Sequence, residues 1–317
     1  MLIVPSGLEG PEDRHLFPFL HTAMVSFYYL DTEAEQLEVA AQDHGLDVIV
    51  DSGAHTWQSD HMDAADTAGN YAKREGRKTN TSIEKADEYF ERYINWIKRH
   101  WRHIYRFVEL DIGALVGPDK VQAWYDRIRE EGLASKCIRV WHDDHYDASD
   151  FRRMVDDTDS GFVGTEGPSR CHGIGSHLKY AYEQGVKVHG FGVSGRTLRK
   201  YPFYSVDSTT YKMGAQFGVY HYFDEEDGYL HHGHWRDPED HQGEVDIQRA
   251  FRAHMLRQNG REVTTDDRKK QRRARFQHSL REFRKYERFL TRLWRKRGVK
   301  WEEDPTPFSA SVPTSFA

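Results

Sequence analysis

The sequence predicts an α/β protein, a TIM-type (β/α)8 barrel with a basic C-terminal helical extension, on three observations. Short β-branched or aromatic runs alternate with helix-patterned stretches, the order that parallel βα units produce. Several of those runs end directly in a carboxylate, and a barrel gathers the carboxyl ends of its strands at one rim. The chain's 317 residues also lie in the range that one barrel fills.

Strands are expected at residues 2–4, 48–50, 105–110, 137–141, 161–163, 186–191 and 203–206. That is one short of eight, and the run 217–223 is assigned as the eighth. Between them, residues 82–101 place Ala86, Tyr89, Phe90, Tyr93, Ile94 and Ile97 at helical spacing, behind an incomplete capping box at Ser82 and Lys85. Residues 119–131 and 149–155 repeat the helical pattern. Residues 58–80 are polar and aperiodic, with Gly69 and Gly76, and read either as an active-site lid or as a disordered connection. Residues 264–297 read as one long helix, N-capped by Thr265 or Asp266. Its stripe of Phe276, Leu280, Phe283, Tyr286, Leu290 and Leu293 would pack on the barrel. The expected layout is a barrel at 1–260, a basic helix at 261–301 and a disordered tail at 302–317.

An apolar fraction of 38% supports a sizeable core despite 30% charged residues. Cys137 and Cys171 are too few for a disulfide framework and lack zinc-site spacing, which fits a reducing cytoplasm. No signal-peptide pattern opens the chain, and no apolar run approaches membrane-spanning length, so neither export nor a membrane partner is expected. Charge is unevenly placed. Residues 268–300 hold 15 Lys or Arg against Glu282 and Glu287, a local +13 that leaves −19 on the rest of a chain totalling −6. A polyanion met by Arg272, Arg273, Arg275, Arg284, Lys285, Arg288 and Arg292 would use that charge; a solvated helix face is the plainer alternative.

The chemistry gathers at the strand ends. The run 48–50 leads into Asp51-Ser52-Gly53-Ala54, 107–110 into Asp111-Ile112-Gly113, and 203–206 into Asp207-Ser208. A carboxylate at the rim of a buried strand is costly unless it is paired or put to work. One such aspartate is an ordinary helix cap or Asx turn; three facing one cavity point to a functional site. Other motifs carry less. Gly190 to Gly195 satisfies G-x-G-x-x-G but comes late in the chain, and Asp207 follows too soon for a ribose-binding acid. His231, His232 and His234, with His221 and His241, are read as an exposed polar loop rather than a metal site. Cys171 and His172 are adjacent and poorly placed to act as nucleophile and base.

Asp51-Ser52-Gly53-Ala54 resembles the Asp-Ser-Gly motif of the tRNA-guanine transglycosylases, His189-Gly190-Phe191-Gly192-Val193 resembles their late glycine-rich strand end, and Ser205-Val206-Asp207-Ser208 resembles the strand bearing their nucleophile. The match in order and spacing spans roughly residues 1–220. The resemblance implies Asp207 as nucleophile, Asp51 as acid/base, and Asp111, Ser52, Gly53, His142, Gly164 and Gly192 around the base. It departs from the tRNA enzymes in one respect: no cysteine follows Cys171, so their zinc motif is missing and no cofactor or metal is expected. That resembles the phage and bacterial members that place a 7-deazaguanine base of the preQ0 type in DNA. The implied activity is exchange of guanine in DNA through a covalent aspartyl-glycosyl intermediate, with 7-deazaguanine as small-molecule substrate and DNA as partner. The alternatives are the same exchange on tRNA, a barrel glycoside hydrolase, and an inactive nucleic-acid-binding barrel.

Overall fold

The computed structural model describes residues 1–30, 37, 39–61, 80–143, 147–212, 219–234 and 268–301. Eight strands form one parallel sheet: β1 (Leu2–Pro5), β2 (Thr22–Ser26), β3 (Asp47–Asp51), β4 (Arg106–Val108), β5 (Cys137–Trp141), β6 (Phe162–Glu166), β7 (Lys187–Phe191) and β8 (Ser205–Ser208). Neighbours in sequence pair in space, β1 returns to β8, and a single parallel bridge between Ser6 and Met24 joins the remaining edge. The sheet is therefore a nearly closed (β/α)8 barrel. Helices α1 (Ala54–His61), α2 (Asn80–His100), α3 (Pro118–Glu130), α4 (Ala148–Asp156), α5 (Ile174–Glu183) and α6 (Arg268–Lys296) accompany the strands.

Alternation along each strand sorts the core into two layers. Val4, Met24, Ile49, Val108, Ile138, Val140, Phe162 and Tyr204 form the smaller cluster inside the barrel. Val48, Val50, Phe107, Val163, Val188 and Val206 pack outward with the helices. Among them, α2 stacks its expected stripe on the sheet: Ala86, Tyr89, Phe90, Tyr93, Ile94 and Ile97 are all buried.

Two strand expectations change. β2 is an unexpected barrel strand, because only Met24 and Val25 give its five residues any marked apolar character. The expected eighth strand instead supplies β9 (Val219–Asp224), which pairs antiparallel with β10 (Tyr229–His234) outside the barrel. In β9, Val219, His221 and Phe223 are buried while Tyr222 and Asp224 are partly exposed. That period of two marks a ribbon covered on one face, unlike a barrel strand buried on both. The histidine segment at 231–234 is thus a strand, not a loop.

Helix α6 packs across β9, β10 and β1. Phe276 meets His15 and Tyr211 near the ends of the first and last barrel strands, while Thr291 hydrogen-bonds the carbonyl of Met1 (3.2 Å). The helix therefore runs antiparallel to β1. Its stripe residues Phe276, Leu280, Phe283, Tyr286 and Leu290 are buried, as expected from their spacing. Beyond it, Trp301 stands edge-on to Tyr204 (5.7 Å between ring centres) and to Tyr182, covering the barrel floor. The caps proposed at Thr265 and Asp266, most of the lid segment at 62–79, and the tail at 302–317 lie outside the described residues. Among the described residues, no helix is long and apolar enough to cross a membrane.

Candidate active site

Strand register decides which side chains share the barrel mouth. Ser26 pairs with Asp51, Val4 with Asp207, Glu166 with Phe191, and Gly164 with His189, which pairs in turn with Ser205. Paired residues in a parallel sheet face the same side, so these positions form one continuous inward set. Asp51, Asp207 and Glu166 occupy its upper rim, joined by Asp111 just beyond β4 and His142 just beyond β5.

At the end of β3, the Gly53 amide donates to Asp51 Oδ2 (3.1 Å), closing the tight turn that the sequence allows. Gly53 sits at φ +75°, and a Cβ there would lie 2.6 Å from Tyr28 Cβ and 2.9 Å from the Tyr89 hydroxyl, so only glycine fits. Tyr89 donates to the Ser52 carbonyl (2.7 Å) and Tyr93 to the Val108 carbonyl (2.8 Å), so α2 supports the ends of two strands. Ser52 itself is buried, 1% exposed, and is part of this support. Burial raises the Asp51 pKa to about 7, against the Gly53 hydrogen bond and with added repulsion from Asp207, Asp111 and Glu9. Glu9, not anticipated from the sequence, accepts the Ser26 amide (2.9 Å) at the end of β2.

Asp207 experiences the opposite balance. Burial favours its neutral form, but the His189 ring and the Gly192 amide outweigh it and hold the carboxyl below the usual carboxylate range. Gly192, at φ +62°, donates its N–H to Asp207 Oδ1 (2.7 Å). It was expected beside the base; its observed partner is the proposed nucleophile. His189 Nε2 lies 3.6 Å from the same oxygen.

A second group joins three strand ends. His142 Nε2 meets Asp111 Oδ2 (2.5 Å), and its Nδ1 is 3.4 Å from Glu166 Oε2, whose other oxygen takes Arg170 (3.0 Å). Burial disfavours a charged ring, yet Asp111 and then Glu166 outweigh it and hold the His142 pKa well above the ordinary histidine value. His142 is thus in the site, with both ring nitrogens engaged by carboxylates rather than directed at a ligand. Gly164 lies lower: a Cβ there would come 2.4 Å from Phe191, so this glycine makes room for an aromatic ring across the barrel interior. Glu166 and His189 were overlooked because each sits in a segment read for its glycines.

The basic helix divides. Arg273, Arg288 and Arg292 are exposed and Arg275 is half-buried; the Arg272 side chain lies outside the described set. Arg284 and Lys285 are half-buried and ion-paired. Arg284 pairs with Glu287 (2.8 Å), which also accepts the Ile3 amide (2.7 Å); Lys285 pairs with Glu282 (2.7 Å), which accepts the Phe223 amide (2.8 Å). Both cations neutralise acids that fasten the helix to the barrel and hairpin. Among the described residues, one group has metal-ligand spacing: Asp224, Asp227 and His231 on the hairpin, with ligand atoms within 4.8 Å of one another.

No protein-family model matches the chain, and no curated protein matches it in sequence. Fold and site together define a (β/α)8 barrel whose mouth holds two carboxyl groups, Asp51 and Asp207, biased toward opposite protonation states.

Proposed function

We propose that this barrel is a base-exchanging transglycosylase that replaces guanine in DNA with a 7-deazaguanine. The observation that carries the reading is the opposed setting of the two aspartates. A pair of carboxyl groups whose environments separate their protonation supplies one nucleophile and one proton carrier, the division of labour used in retaining glycoside chemistry. Asp207, kept ionised, attacks C1′ of the target nucleotide. Asp51, titrating near neutrality, protonates the departing guanine and then removes N9–H from the incoming base. Asp111 and Glu166, held by His142, present carboxylate oxygens to N–H groups of a planar heterocycle.

DNA is preferred as the polymer because the exposed arginines of α6 continue from the site's flank along the protein's side. Arg273 stands near the turn where Phe276 meets Tyr211, and Arg292 lies 19 residues further, about 28 Å at 1.5 Å per residue. A surface of that length follows a duplex backbone, while the target base leaves the stack to reach the mouth.

The test is incubation with labelled guanine and either duplex DNA or tRNA. The expected result is label in DNA and little in tRNA. Label in tRNA alone would move the reading to the RNA enzyme, and label in neither would overturn base exchange with guanine.

A further inference from the structure

We infer that His189 is a positioning residue for Asp207, holding Oδ1 so that Oδ2 is the oxygen free to attack the sugar. This rests on the proposed reaction for its chemical consequence, though not for its geometry. The His189 side chain is fully buried inside the barrel, edge-on to Phe191 (4.6 Å between ring centres). Its Nδ1 lies 2.9 Å from Ser205 Oγ; its Nε2 has no hydrogen-bond partner and points toward Asp207 Oδ1 at 3.6 Å. Burying a polar ring nitrogen without a partner is unfavourable, and it persists where the nitrogen has a use.

The hydrogen arrangement follows from charge. If Ser205 accepted from Nδ1, the Nε2 lone pair would face an ionised carboxylate. With Ser205 donating to Nδ1, the hydrogen resides on Nε2 and faces that carboxylate instead, the favourable tautomer. Two N–H groups, from Gly192 and His189, then converge on Oδ1. Among the described residues, the other groups facing the carboxyl are the Ser6 hydroxyl, just past the end of β1, and Asp51 across the mouth.

In the reaction, an Oδ2 lone pair forms the bond to C1′ while the C1′–N9 bond breaks. Its electron pair leaves on guanine, which takes the Asp51 proton. Oδ1 becomes the ester carbonyl oxygen, still facing both donors. When the deprotonated incoming base attacks C1′, Oδ2 departs with the bonding pair, and the charge regained by the carboxylate is again met at Oδ1. His189 therefore acts in both halves through Asp207, touching neither sugar nor base.

The test compares His189→Gln, which retains an N–H near the Nε2 position, with His189→Leu, which does not, and with Ser205→Ala. The Asp207 carboxyl is titrated by carbon-13 NMR without substrate, and exchange on duplex DNA is measured against pH. In His189→Leu the Asp207 titration and the acid limb of kcat/KM both move to higher pH, kcat falls on the order of a hundredfold, and the dissociation constant for duplex DNA is unchanged. His189→Gln recovers part of kcat, and Ser205→Ala falls between. Should the leucine variant not fold, the other two carry the same comparison. An Asp207 titration unmoved by these substitutions would overturn the inference. A moved titration with no base exchange by the wild-type protein would sustain the hold on Asp207 and overturn the proposed reaction.

Discussion

At Asp51 the carboxyl is buried beside Asp207, Asp111 and Glu9, and its pKa of about 7 means that ionising it opposes folding. The folded-state pKa is raised, so the folded chain holds this proton more tightly than the unfolded chain. Stability from this group is greatest below about pH 4 and is lost as pH rises from there through about 7. Asp51→Asn should therefore raise the melting temperature at pH 8 and change it much less at about pH 4. It should also cut base exchange by about a hundredfold or more at either pH, as expected when a proton-transfer group is lost. Thermal melts and exchange rates at both pH values check this. A variant that only changes stability would leave Asp51 as a turn residue closed by the Gly53 amide.

The elements explain how much was legible in sequence. β5 was expected at its observed bounds, and the helical stripe of α2 was clear, because both rest on apolar periodicity. β2 was missed for want of contrast, and β9 was misplaced because an apolar run does not state which side it buries. Asp51, Asp111 and Asp207 were found because strand-end acids have a sequence signature. His189 and Glu166 were not, since their significance depends on register between strands distant in sequence. The same limit applied to α6, where periodicity separates apolar from charged faces but not paired from free cations. Neutralising Arg273, Arg288 and Arg292 should weaken duplex binding and flatten its log–log salt dependence by about 0.9 per lost phosphate contact. Arg284→Gln should do little to binding and should lower the melting temperature, because it leaves Glu287 without its ion-pair partner. Salt titrations and melts distinguish the two sets; equal effects on binding would mean that no separate phosphate-facing set exists.

Across the whole molecule, the barrel turns short strands into a convergent site. β3 delivers Asp51, β8 delivers Asp207, and the intervening strand ends bring Asp111, His142 and Glu166 to the same mouth. α6 is fastened to the first strand through Glu287, which accepts the Ile3 amide, while displaying arginines on its outer face. The proposed exchange requires a moment when the polymer is joined to Asp207. The most direct measurement is denaturing electrophoresis and peptide mass analysis after duplex DNA is mixed with protein and quenched in acid. A denaturant-stable protein–DNA adduct mapped to Asp207 is expected, absent in Asp207→Asn and discharged by added guanine. An adduct that persists in Asp207→Asn, or base exchange by that variant at the wild-type rate, would contradict it.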